Sequence, residues 1–131
     1  MKSKRSTMKS EWVRRLPLYL EKGDERYKKA QVQIKKFGFS DSETWGLDSV
    51  ISMFILPRLI RFKELNNGFP IDFTSESWDA VLDEMIFAFD WSLNCEEEKY
   101  KGLTKEQQDE NWKRYEAGMQ LFAKWFRHLW W

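Results

Sequence analysis

From Trp112 onward the large apolar residues Trp112, Tyr115, Met119, Phe122, Phe126 and Leu129 recur at intervals of 3, 4, 3, 4 and 3. Only a helix turns residues so spaced to one side, as a heptad-like seam. The same period runs through Trp78, Val81, Leu82, Met85, Ile86 and Phe89, and through Trp45, Leu47, Val50, Ile51, Phe54, Ile55, Leu59 and Phe62. No stretch alternates long enough to make a strand, and no internal repeat occurs. Three prolines and six glycines among 131 residues leave few breakers. The pattern predicts an all-α fold, a small antiparallel helical bundle whose central helix is kinked at Pro57.

Start and stop signals place the elements. Asp24 and Gly38 are suited to cap a charged helix over 25–37, with Tyr27, Ala30, Ile34 and Phe37 on one side. Ser40-Asp41-Ser42-Glu43 reads as a capping box opening a broad-faced, well-buried helix over 41–65, ended by Asn66-Asn67-Gly68 and Pro70. Thr74 caps a helix over 75–93. Thr104-Lys105-Glu106-Gln107 is a second capping box, opening a helix over 105–129. Residues 94–103, with Glu96-Glu97-Glu98 and Gly102, read as a solvated connection. The domain reading is a basic N-terminal arm, 1–23, and a helical bundle domain, 24–131.

Charge divides unevenly along a chain whose net charge is only +1: residues 1–39 are strongly basic and residues 40–131 acidic. A basic arm of this kind seeks polyanions such as nucleic acid, or lies on an acidic surface of its own chain or of a second copy. The early Lys and Arg residues are not followed by an apolar stretch, so no export signal is expected. Ser49–Pro57 is uncharged over nine residues, where a membrane span needs about twenty. No membrane association is expected.

Catalytic signatures are missing. The chain has one cysteine, Cys95, and one histidine, His128, too few for a thiolate metal cage or a histidine-built centre. There is no phosphate-cradling glycine loop and no nucleophile elbow. No enzyme, no cofactor and no metal are expected. Asp79, Asp83 and Asp90 fall on one side of a helix, where they form either a carboxylate cluster or a solvated acidic face. The ligand-binding candidates are Arg58, Arg61 and Lys63 beside the proline, with Trp45, Trp78 and Trp91. Arginine forks match phosphate oxygens, and indoles stack on bases. The competing reading of the arginines is ion pairing with Asp48, Asp79 or Asp83. Eight tryptophans, ten phenylalanines and four tyrosines exceed what one small core needs. Trp91, Trp125, Trp130 and Trp131 lie off the main seams, which predicts a homo-oligomer or a partner surface.

Several motifs occur together: Phe39-Ser40-Asp41, Trp45, Leu47-Asp48, Phe54-Ile55-Leu56-Pro57-Arg58-Leu59 and Phe62-Lys63-Glu64. They continue with Gly68-Phe69-Pro70, Trp78-Asp79, Met85-Ile86-Phe87-Ala88-Phe89, Leu121-Phe122, Phe126 and Leu129-Trp130. Over residues 39–131 this pattern resembles a group of short, mostly uncharacterised accessory proteins encoded by tailed bacteriophages. The resemblance transfers no catalytic residue. It implies a small phage protein acting in the bacterial host cytoplasm, where such proteins often counter host defence. The leading expectation is sequestration of a small nucleotide-type immune signal. Its rivals are capping of a host protein through the aromatic C-terminal surface, and nucleic-acid binding through the basic arm.

Overall fold

The computed structural model describes residues 23–66 and 68–130. Most of the basic arm, together with Asn67 and Trp131, lies outside the described residues. Among the described residues four α-helices follow in order: α1 (Glu25–Phe37), α2 (Leu47–Leu65), α3 (Ser75–Asn94) and α4 (Lys105–Trp125). There is no strand among the described residues, so the fold is an all-α helical bundle. The chain divides into two compact units between Phe54 and Ile55.

In the first unit, the Asp24 carboxylate accepts from the Arg26 amide at 2.9 Å and opens α1. Gly38 closes it in the left-handed region, at φ 88°. Ala30 is the residue that α1 buries completely. The first capping box forms as expected, with the Ser40 amide donating to Glu43 Oε2 at 2.6 Å. It caps a single tight turn, Asp41–Thr44, and not a long helix. The chain turns through Trp45 and Gly46 before α2 begins at Leu47.

Helix α2 runs on through Pro57, which supplies no amide to the Met53 carbonyl. The expectation of a broad buried face on this helix is corrected. Its apolar residues occur all round the cylinder, so no single face can hide them. Ser52, Leu56 and Leu59 are buried, whereas Leu47, Ile51 and Phe54 are about half exposed.

The core of the second unit belongs to α3. Trp78, Leu82, Met85, Ala88 and Phe89 are each 2% exposed or less. Burying a Leu, Met or Phe side chain contributes about 1.5–3 kcal/mol. The Thr74 hydroxyl accepts from the Ser77 amide at 3.1 Å and caps α3. The second capping box opens α4, with Gln107 and Thr104 bonded reciprocally at 3.1 and 3.0 Å. Helices α3 and α4 form an antiparallel hairpin. Trp78, early in α3, meets Trp125, late in α4; Trp91, late in α3, meets Trp112, early in α4.

The seam on α4 differs from the expected one by a rotation. Trp112 and Phe126 are more than half exposed. Trp125, expected off the seam, stands edge-on to Phe73 and Trp78 with ring centroids 5.0 and 6.1 Å away. The centre of the contact is Gly118, the buried residue of α4. A Cβ placed there would stand 2.4 Å from the Glu84 carbonyl oxygen and 2.7 Å from the Ala88 Cβ. The obstacle is backbone, so the helices themselves would have to separate. After Trp125 the helix tightens into a turn over Phe126–His128.

Gly118→Ala is therefore expected to destabilise the hairpin by about 1–3 kcal/mol, even though alanine is the better helix former. Urea unfolding of the variant checks this. A midpoint unchanged or raised would mean that the helices do not meet at Gly118.

Candidate functional site

The hairpin places its most densely bonded polar group at the end where α3 passes into the link over 95–104. Asp90 sits one turn before the end of α3. Its carboxylate accepts from the Tyr100 hydroxyl at 2.7 Å and from the Asn94 carboxamide at 3.0 Å. The Lys99 ammonium also bonds it. Burial, followed by donation to Asp90, pushes the Tyr100 phenol above its usual range. The link is thus tied back onto the helix it leaves, through a single carboxylate.

Beside this hub lies a pocket of about 300 Å³ lined by Trp91, Cys95, Tyr100, Leu103, Gln108 and Asn111. The Trp91 ring forms one wall. It is held from behind by Trp112 and Tyr115, with centroids 5.6 and 5.0 Å away. The Gln108 carboxamide donates to the Leu103 carbonyl at 3.2 Å, which ties the first turn of α4 to the link. No lining side chain carries a formal charge, and the thiol of Cys95 is exposed at the rim.

Further along the hairpin, Arg114 spans the two helices. It places Nε and Nη2 on the Glu84 carboxylate at 2.7 and 3.1 Å and its guanidinium 3.8 Å from the centre of the Phe87 ring. A second pocket of about 330 Å³ lies where α2 gives way to α3, lined by Asn66, Gly68, Phe69, Ser75, Trp78 and Asp79.

The six residues singled out in the sequence are not gathered into one place. Trp45 belongs to the first unit; it is 60% exposed and carries the Arg26 guanidinium 5.2 Å above its ring. Trp78 is 1% exposed and hemmed by Phe73 and Trp125, so neither ring face is open to a stacking base. Trp91 lies thirteen residues further along the same helix, about 20 Å by the helical rise. Arg58 is exposed. Arg61 turns to Glu64 at 3.0 Å, and Lys63 to Asp83 at 2.7 Å.

The aspartates diverge as well. Asp83 pairs with Lys63, Asp90 with the link, and Asp79 lines the second pocket. Among the described residues, no three His, Cys, Asp or Glu side chains come together as a metal site. No helix of the described residues is long and apolar enough to cross a membrane. His128 stands edge-on to Trp125 at 5.1 Å.

Sequence reasoning missed the hub partner Tyr100 and the pocket carboxamides Gln108 and Asn111. Tyr100 had a visible mark, as the lone aromatic residue in a charged link. The carboxamides had none, because their placement depends on how α4 is rotated. Comparison with protein-family models, with curated proteins and with solved structures finds no match.

Tyr100→Phe removes one bond to the hub and is expected to cost about 0.5–1.5 kcal/mol. Because folding raises this phenol's pKa, its contribution is complete below the ordinary tyrosine value of 10.0 and declines as pH rises above it. Unfolding free energies measured from pH 8 to pH 11 should fall more steeply for the wild type than for Tyr100→Phe. Parallel curves would refute the assignment.

Proposed function

We propose that the chain is a non-enzymatic, phage-type accessory protein that acts by docking on a partner protein through apolar surface its own fold leaves open. The observation that carries this reading is the exposure of large rings beyond the hairpin core. Phe126 is 58% and Trp130 75% exposed just beyond the end of α4, and Trp112 is 52% exposed on α4 itself. Aromatic anchors of this kind dominate the energetics of protein interfaces. The first unit adds Phe37, Phe39 and Trp45, each more than half exposed.

Capping a host defence protein in the bacterial cytoplasm is the role this surface fits, with self-association through the same rings when no partner is present. Sequestration of a nucleotide by Arg58, Arg61 and Lys63 has less support. Arg61 and Lys63 already answer carboxylates, and no open indole face lies in the pocket beside Trp78. Binding of nucleic acid by the N-terminal arm turns on residues outside the described part. Within that part, α1 exposes Lys28, Lys29, Lys35 and Lys36.

Native mass spectrometry of the protein purified from bacterial cells tests the proposal, with the double variant Phe126→Asp, Trp130→Ser as control. A complex with a bacterial protein, or an assembly of copies, is expected for the wild type and should be lost in the variant, with helical circular dichroism unchanged. A bare 16.0 kDa chain, or a chain retaining only a small molecule, would overturn the docking reading.

A further inference from the structure

We infer that the pocket at the linked end of the α3–α4 hairpin is a binding site for an uncharged adenine-type ring, with Trp91 as the stacking wall and Asn111 as the group that reads the ring's edge. This inference does not rest on the docking reading: Phe126 and Trp130, the residues tested there, are not among the pocket's lining, and Trp112 touches it only as support for Trp91.

The chemistry of the lining selects the ligand class. The pocket measures about 300 Å³, the size at which ligand sites begin, large enough for a ring system and too small for a folded segment. Its walls are an indole, a phenol ring and a leucine, all suited to a flat apolar face. Its polar lining groups are neutral, so nothing there answers a phosphate or a carboxylate directly. The half-buried Asn111 carboxamide takes part in no hydrogen bond among the described residues.

A carboxamide presents one acceptor and one donor side by side. The complementary edge has a donor beside an acceptor, as adenine has in its 6-amino group and N7. A purine without the 6-amino group offers acceptors alone along that edge and satisfies only half of the carboxamide. The support of the site is already built. Trp112 and Tyr115 hold the Trp91 ring, the Leu103 carbonyl holds Gln108, and Asp90 holds Tyr100.

Cys95 supplies the measurement. It is the chain's one cysteine and stands at the rim, so a ring seated in the pocket shields the thiol from alkylation. Adenosine and purine riboside, which lacks the 6-amino group, are titrated into the full chain, and the rate of Cys95 alkylation by iodoacetamide is followed by mass spectrometry. Adenosine is expected to slow alkylation saturably. Purine riboside should need a concentration about five-fold to a hundred-fold higher for the same protection, the discrimination that one bidentate base contact supplies. Asn111→Ala should remove that difference, while its melting temperature stays near that of the wild type because the replaced group makes no hydrogen bond among the described residues.

Alkylation unaffected by either nucleoside up to its solubility limit would overturn the inference. So would protection by purine riboside equal to that by adenosine in the wild type. A preference for adenosine that survives Asn111→Ala would overturn it too.

Discussion

The second unit depends on how closely α3 and α4 approach. Ordinary side chains hold helix axes about 8–10 Å apart. At Gly118 there is no side chain, and α4 comes down onto the Glu84 carbonyl and the Ala88 methyl. That contact fixes both spacing and rotation. It brings Phe89 to 4.9 Å from Phe122 and carries Trp125 into the Phe73–Trp78 cluster. Arg114, one turn before Gly118, then reaches Glu84 with both nitrogens of its fork. A wider spacing would loosen each of these contacts together, since all are measured from the same closest point.

Much of this architecture was legible in the residues. Caps carry their meaning locally: Asp24, Thr74 and Thr104 each begin a helix because their side chains bond amides two or three residues away, and no distant part of the chain has a say. Rotation is a different matter. The regular spacing of Trp112, Tyr115, Met119, Phe122 and Phe126 marks a helix but does not say which edge of that wide stripe faces inward. A glycine, invisible to a count of apolar residues, set that edge. Helix α2 failed to declare a face for the opposite reason, since apolar residues on all sides give periodicity nothing to select. The Ser40 box was read correctly as chemistry and too generously in extent, because the chain turns through Trp45 and Gly46 before the next helix begins.

The candidate site was less legible still. Arg61 and Lys63 invited a phosphate reading because cations at helical spacing look like a fork. Whether a cation is committed depends on carboxylates that the fold brings up, here Glu64 from the next turn and Asp83 from the facing helix. Trp91 was noticed for its indole. Its partners Asn111 and Gln108 are carboxamides in a helix full of polar residues, and only the hairpin geometry distinguishes them from their neighbours.

The tether at Asp90 has a consequence for how this end of the molecule opens. None of residues 95–104 is fully buried, so little hydrophobic free energy opposes lifting the link away from the helices. What opposes it is largely the set of bonds gathered on one carboxylate, with the Gln108–Leu103 bond on the far side. The link therefore has a free energy of opening of its own, well below that of separating α3 from α4. Amide hydrogens in this segment should exchange by local release while those of the hairpin wait for global unfolding. The hairpin supplies a fixed frame, and the link behaves as a separately hinged flap whose latch is a single side chain.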